Sequence, residues 1–270
     1  MAFGGYERRR KLLLAGTVAF LLLIFAFRLL YWPAWERTGR GGRAVELAQL
    51  AEAIERNDYV RLGFLLGKFA ALPEYDDRGR PLLNLAAGTG HPECVEVLLF
   101  HGIPTETPDS LGGRPLAAAA AAGNLPTLKR LLAGGAKLDG GRENGRTALI
   151  LAAENGRLEA VDYLLNAGAA VWPGVAEGRG ALSQAVRHGH EAAACRLLSG
   201  GAPPDEVDAA GDSILMLAVR QRMPRLAARL LELKVDREHR NRAGETARGI
   251  AEAMNDSAMT ALLRTEPPVE

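Results

Sequence analysis

The fold is decided by one stretch, Thr147-Ala-Leu-Ile-Leu-Ala-Ala-Glu-Asn-Gly156, and by the run from Arg157 to Gly168 that follows it. Apolar residues stand at helical spacing on both sides of Gly156, and the pair Leu164-Leu165 begins eight residues after that glycine. Glycine suits the position just past a helix end, because a positive φ costs it nothing. The stretch therefore predicts two short helices separated by a tight turn.

The same arrangement recurs every 33 residues along the chain. The helix-ending residues are Asn57, Gly90, Gly123, Gly156, Gly189, Arg222 and Asn255. A Leu-Leu pair follows each of them at the same distance, except that the last pair, Leu262-Leu263, comes one residue early. Seven units in this register cover about residues 43–264. Such a period is typical of a solenoid, in which each unit buries its apolar face against its neighbours.

These units resemble the ankyrin repeat. The copy from Asn144 to Gly156 follows the family pattern Gly-x-Thr-Pro-Leu-His-x-Ala-Ala-x-x-Gly, with Ala148 in place of Pro and Ile150 in place of His. The resemblance covers residues 45–264 and implies an all-α, ankyrin-type helical solenoid of about six to seven repeats, including degenerate caps. The family's His is absent from every copy, so we expect its hydrogen bonds to be replaced.

The two ends of the repeat region deviate as caps do. Residues 43–75 keep a second helix but lack the Pro-Leu start of a first one. The last unit is more polar than the others, as expected where the outer face of a solenoid meets water. Residues 265–270 are predicted to form a disordered tail.

A long apolar segment precedes the repeats. Residues 12–27 contain no charge, and the apolar character continues past Arg28 to Trp32. A helix over residues 12–32 would be about 31 Å long, which matches a hydrocarbon core of about 30 Å. We therefore predict one transmembrane helix. A cleaved signal peptide is the alternative, but its nearest small-x-small triplet, Gly42-Arg43-Ala44, lies too far downstream.

The charges around this segment predict its orientation. Residues 1–11 end in the basic run Arg8-Arg-Arg-Lys11, whereas the arginines of residues 33–44 are more dilute. The positive-inside rule then places the N terminus in the cytoplasm and the repeats across the membrane. In a bacterium this is an inner-membrane protein with a periplasmic domain. A linker of residues 33–44 would keep the repeats within tens of ångströms of the bilayer.

Composition and motifs exclude several classes of function. The 33 basic and 32 acidic residues leave a net charge of +1, which supplies no field to attract nucleic acid. The sequence has no Gly-x-Ser-x-Gly elbow, phosphate loop, dinucleotide fingerprint or His-Glu-x-x-His motif. We therefore predict no enzyme, no cofactor and no small-molecule substrate.

The cysteines and histidines also fit structural roles. Cys94 and Cys195 lie three repeats apart on second helices, so we expect them about 25–30 Å apart, too far for a disulfide, and buried. His188-Gly189-His190 could suggest a metal site. However, His190 and His91 share one repeat position, just after the helix-ending residue, which favours a structural role and no metal.

The residues without a packing role are candidates for partner binding. Connector tips and the exposed ends of first helices line one concave face in such solenoids. The candidates are Arg78, Arg80, Glu143, Asn144, Arg146, Glu154, Asn155, Trp172, Glu177, Arg179, Arg187, His188, Asp212, Arg220 and Gln221. Leu111 lies on the tip of the second connector. Trp172 is either an exposed interface anchor or a side chain packed beneath its connector.

Together these features predict a membrane-anchored, non-enzymatic adaptor that holds a protein partner on its concave face. The alternative is an inhibitor or immunity-type protein that blocks an enzyme or toxin in the same compartment. Tight one-to-one binding would favour inhibition, and several weaker partners would favour a scaffold. An enzyme would need polar side chains that converge in a closed pocket, which an open concave face does not readily supply.

Overall fold

The computed structural model describes residues 40–141, 145, 147–171 and 179–264. Fourteen helices lie within these ranges. They are α1 (Arg40–Glu55), α2 (Tyr59–Leu66), α3 (Leu82–Thr89), α4 (Pro92–Phe100), α5 (Pro115–Ala122), α6 (Leu125–Ala133), α7 (Ala148–Glu154), α8 (Leu158–Asn166), α9 (Ala181–Arg187), α10 (Glu191–Ser199), α11 (Ile214–Arg220), α12 (Pro224–Glu232), α13 (Ala247–Ala253) and α14 (Ser257–Arg264).

The helices pair into seven units that stack in chain order. Within each unit the two helices contact each other, and each odd-numbered helix packs against the odd-numbered helices of the adjoining units. The even-numbered helices form a second layer in the same way. In the described residues, β-type pairing is limited to isolated bridges such as Tyr75 with Pro81 and Val207 with Ser213. The predicted all-α solenoid with a 33-residue register is confirmed.

The core repeats with the same period. One leucine in each internal second helix is fully buried, at Leu98, Leu131, Leu164, Leu197 and Leu230. The first helices bury an alanine at one register position, at Ala86, Ala119, Ala152, Ala185, Ala218 and Ala251. The alanines let neighbouring first helices approach closely, and each buried leucine contributes about 1.5–3 kcal/mol. The core is therefore continuous along the stack.

Each first helix ends in a left-handed turn at the position that defines the repeat. The turn residue has a positive φ in all seven units, at Asn57, Gly90, Gly123, Gly156, Gly189, Arg222 and Asn255. The next residue then donates its backbone N–H to the buried alanine five positions earlier, as Arg157 does to Ala152 at 2.9 Å. This is the hydrogen bond of a Schellman cap, which satisfies a carbonyl at the helix end.

The first unit departs from the prediction, because α1 is a complete helix of 16 residues. It begins at Arg40, inside the predicted linker of residues 33–44. The missing Pro-Leu start is replaced by a run rich in Ala, Leu and Glu, which are strong helix formers. Leu50 and Ile54 of this run are buried in the stack.

Two other predictions lie outside the described residues: the transmembrane segment of residues 12–32 and the tail of residues 265–270. Among the helices that the structure describes, none combines the length and apolar character needed to cross a bilayer. The membrane segment stays a prediction from sequence.

The turn glycines allow a matched stability test. A Cβ at Gly156 would lie 2.4 Å from His190 Nδ1, whereas a Cβ at Gly189 would meet nothing within 4 Å. Both have positive φ, so alanine costs about 1–2 kcal/mol at either site from the backbone alone. Urea unfolding should show a larger loss for Gly156→Ala than for Gly189→Ala. Equal losses would contradict the contact between the turn and the histidine ring.

Candidate functional site

The first connector is held by one buried carboxylate. Asp76 Oδ1 accepts hydrogen bonds from the backbone N–H groups of Arg78 (2.9 Å) and Arg80 (2.8 Å). Asp76 is 4% exposed, so these bonds are shielded from water. The arrangement is an Asx-type turn, in which a short side chain replaces a backbone acceptor. It fixes the connector backbone without help from a partner.

The same turn recurs at the same register position in other connectors. One side-chain oxygen accepts two backbone N–H bonds at Asp109, Asp208 and Asn241. The position is occupied by Arg142 and Val175 in the two remaining internal connectors, and both residues lie outside the described part of the chain. Four connector tips are therefore fixed by their own sequence.

These turns present a row of exposed residues, one per unit. The residue at the tip donates its backbone N–H to the Asx oxygen, and its side chain lies outside the core, at Arg78, Leu111, Ala210 and Ala243. We call this set the tip row. Leu111 is 69% exposed, more than any other large apolar residue in the described chain. Only Arg78 and Leu111 have long side chains that could reach a partner.

Ion pairs link the connectors to the first helices. Arg80 donates from Nε to Asp76 Oδ2 at 2.7 Å and from Nη2 to Glu55 Oε1 at 3.1 Å. It thereby connects the first unit to the second. Arg80 is half-buried, so its guanidinium has a structural role besides the predicted contact role.

A second set of ion pairs lies in the C-terminal half. Arg187, at the end of α9, donates to Asp208 Oδ2 at 2.7 Å. Arg220, at the end of α11, donates to Asp212 Oδ2 at 3.1 Å and to Glu245 Oε2 at 2.6 Å. Hydrogen bonds from Asn241 and Arg220 lower the pKa of Glu245. Each arginine therefore joins its own first helix to the connector that follows, and Arg220 also bonds to the connector that precedes it.

Asp212 is buried, although its place in a connector predicted an exposed side chain. It is 7% exposed, and besides Arg220 it accepts a hydrogen bond from Asn241 Nδ2 at 2.6 Å. A carboxylate needs such partners when it is removed from water. Asp212 is thus part of the polar link between two units, and its side chain is not available to a partner.

The other candidates divide by exposure. Exposed side chains are found at Arg78, Asn155, Arg179, Arg187, His188, Arg220 and Gln221, and Glu154 is half-buried. Glu143, Asn144, Arg146, Trp172 and Glu177 lie outside the described residues. Two exposed amides also cap helix ends: Asn155 donates to the Leu151 carbonyl and Gln221 to the Arg187 carbonyl. The bond from Gln221 satisfies a carbonyl that the C terminus of α9 leaves open.

His190 has the structural role that its register predicted. Its Nε2 lies 3.1 Å from the Glu154 carbonyl oxygen of the preceding unit. The same position is used by Asn124, which donates to the Gly90 carbonyl, and by Arg157, which donates to the Ala121 carbonyl. In the part of the chain that the structure describes, no three potential metal ligands come together.

The two cysteines differ in exposure. Cys94 is fully buried, as predicted, and burial raises the pKa of its thiol to about 12. Cys195 is only half-buried, which corrects the prediction that both are buried, although desolvation still raises its pKa. Neither forms a disulfide. A buried thiol with a raised pKa is a poor nucleophile, so neither cysteine indicates catalysis.

Asp208 offers a test of how the connector turns are held. Asp208→Ala removes the acceptor of two backbone N–H groups and should cost about 2 kcal/mol or more of unfolding free energy. Asp208→Asn keeps that acceptor, as Asn241 does in the next connector, and removes only the charge that pairs with Arg187. Because Arg187 is well exposed, the second change should cost less than about 1 kcal/mol. Urea unfolding measures both, and equal costs would show that the ion pair matters more than the turn.

Comparison with known proteins identifies this architecture. The family model described as "Ankyrin repeats (3 copies)" matches residues 50–140 and 83–174. A mouse (Mus musculus) protein, ankyrin repeat domain-containing protein 63, is 42% identical over 76 residues, which are 28% of this chain. That match spans only 19% of the mouse protein's length.

Two solved structures share the fold over most of the chain. The human ASB11 ankyrin repeat domain superposes with a TM-score of 0.70 at 23% identity, covering 82% of this chain and 99% of that one. The ankyrin repeat domain of Bcl-3, a member of the IκB protein family, superposes with a TM-score of 0.66 at 24% identity. That match covers 80% of this chain and 97% of the Bcl-3 domain. At these identities the likeness establishes the fold alone.

Proposed function

We propose that this chain, whose residues 50–174 match the ankyrin-repeat family model, is a non-enzymatic adaptor that holds a protein partner at a membrane. Ankyrin repeats are in general protein–protein interaction modules. The partner would lie along the tip row and the neighbouring ends of the first helices, on the concave face that the repeat architecture implies.

The observation that supports this proposal most strongly is the fixed geometry of the tip row. Four connectors are held by an Asx oxygen that accepts two backbone N–H bonds, so their tips are ordered before a partner arrives. A surface that is already ordered loses little conformational entropy on binding. Leu111 then offers an exposed apolar side chain on a fixed backbone.

The arginines beside the tip row would add selectivity. Arg187 and Arg220 have side chains that are each 40% exposed, although both pair with carboxylates. The Arg220–Glu245 pair, whose side chains are 40% and 46% exposed, contributes at most about 1 kcal/mol, so a carboxylate of a partner can replace Glu245. Charges at the edge of an interface mainly affect the association rate and the choice of partner. We therefore expect acidic residues on the partner near α9 and α11.

Membrane anchoring is the second part of the proposal. It rests on the uncharged residues 12–27, on the apolar run that continues to Trp32, and on the basic residues 8–11. These favour a single span with a cytoplasmic N terminus and the repeats on the opposite side, which is the periplasm in a bacterium. The adaptor would then act at the inner membrane.

Leu111 provides the test of the tip row. In-cell crosslinking of the full chain, followed by purification, should recover at least about tenfold less partner from Leu111→Asp, because an interface anchor contributes about 1.4 kcal/mol or more. Leu233→Asp is the matched control: this leucine is 54% exposed, but it follows α12 and lies outside the tip row. Equal recovery from the two variants would mean that the partner does not use the tip row.

The orientation requires a separate measurement. Alkaline phosphatase fused after residue 270 is active only in an oxidising compartment, where its disulfides form. We expect activity from the fusion in a bacterial host, and none when the basic residues 8–11 are changed to glutamate. Activity of a cytoplasmic reporter fused at the same position would contradict the proposed orientation.

A further inference from the structure

Ion pairs join second helices of adjoining units at one register position. Arg196 Nε, on α10, donates to Asp162 Oδ1 on α8 at 2.6 Å, and the two residues are 34 positions apart. Arg130 on α6 pairs with Glu96 on α4 at the same separation. In both interfaces an arginine therefore meets a carboxylate that the preceding unit provides.

The interface between α10 and α12 has the arginine of this pair but not the carboxylate. Arg229 has the register position of these two arginines, but the residue 34 positions before it is Cys195. Burial and Glu191 raise the pKa of the Cys195 thiol, whereas Arg229 and Arg225 lower it, so both guanidinium groups lie near this thiol. A thiol with a raised pKa is uncharged at neutral pH. Cys195 therefore leaves Arg229 without the negative charge that its equivalents meet.

Arg225 and Arg229 form a pair of like charges on one face of α12. They are four residues apart and both are exposed, and neither forms an ion pair with the described residues. The carboxylate of Glu191 is bonded to the backbone instead: its Oε1 accepts the N–H groups of Arg225 at 2.7 Å and Leu226 at 3.1 Å. Like charges at this spacing repel each other and destabilise a helix. We call Arg225 and Arg229 the α12 arginine pair.

The surroundings of the α12 arginine pair indicate which kind of anion fits it. The register equivalents of Arg229 pair with carboxylates, and a guanidinium group can bind a carboxylate through two parallel hydrogen bonds. Glu191 lies beside the pair, and the exposed Glu232 follows Arg229 by three residues. These two carboxylates repel an extended polyanion such as nucleic acid or an anionic bilayer. A short segment that carries two carboxylates about 5–6 Å apart matches the one-turn spacing of the arginines.

We propose that the α12 arginine pair binds an acidic segment of a partner protein, with one carboxylate on each guanidinium group. The carboxylate on Arg229 takes the place that Asp162 and Glu96 have in the equivalent interfaces. The pair lies in the layer of second helices, whereas the tip row lies on the connectors. This second surface goes beyond the proposed function, and it does not depend on the tip row or on the membrane anchor.

The test measures the affinity of the full chain, in a non-ionic detergent at low salt, for a fluorescein-labelled hexaglutamate peptide by fluorescence anisotropy. Arg225→Gln combined with Arg229→Gln should weaken binding about tenfold, because two exposed charge pairs are lost. The charge-matched control is Arg130→Gln combined with Arg248→Gln, since these arginines already pair with carboxylates. It should bind as the native chain does, and circular dichroism checks that both variants fold. Equal losses from the two double variants would overturn the proposal.

A variant at position 195 tests the pair while keeping both arginines. In Cys195→Asp the new carboxylate has the register position of Asp162 and should pair with Arg229. Peptide affinity should then fall about threefold, because one guanidinium group is already occupied. Cys195→Ser is the uncharged control and should bind as the native chain does. Unchanged affinity of Cys195→Asp would mean that Arg229 does not hold the peptide, which would overturn the proposal.

Competition and two further variants identify the occupant. Unlabelled oligothymidylate and dihexanoyl phosphatidylglycerol should displace the peptide less well than unlabelled hexaglutamate does at equal charge. Stronger displacement by either would assign the pair to nucleic acid or to lipid. If the native chain does not bind the peptide but a chain that ends at Arg264 does, residues 265–270 occupy the pair and the proposal of a partner fails. Leu111→Asp should bind the peptide as the native chain does, and a loss there would place the peptide on the tip row instead.

Discussion

The whole architecture depends on one backbone constraint, the left-handed turn that ends every first helix. This turn reverses the chain so that the second helix returns along the first, and its Schellman bond runs to a buried alanine in each unit. The small alanine lets adjoining first helices approach, and the leucines of the second helices fill the space behind them. Because the three features recur together every 33 residues, each unit matches its neighbours and the stack can extend.

The connectors are held by a second set of recurring contacts. Asx oxygens hold the connector tips, and arginines from the helix ends bridge to carboxylates in the same or the next connector. The groups that join the units are therefore the same groups that border the proposed binding surface. A partner would meet a surface that is already ordered, in which the exposed residues between these links provide the selectivity.

Much of the fold could be predicted from the chain because helix ends and apolar spacing are local properties. The turn positions follow from residues a few positions apart, and the period, the seven units and the structural role of His190 follow from comparing successive copies of the repeat. The burial of Asp212 could not be predicted this way, since it depends on Asn241, which lies 29 residues further on. The complete helix α1 was missed because the family motif was sought at its start, whereas general helix propensity and packing of Leu50 and Ile54 stabilise it.

The sequence by itself determined the repeat, its period, the class of fold and the residues that turn the chain. Tertiary structure alone decided which polar side chains remain available. Arg80, Arg187 and Arg220 look alike in sequence as exposed arginines, but each is paired with a carboxylate that the stacking of units brings to it. Hydrogen-bond partners and solvent exposure are set by distances between units, and those distances exist only once the chain has folded.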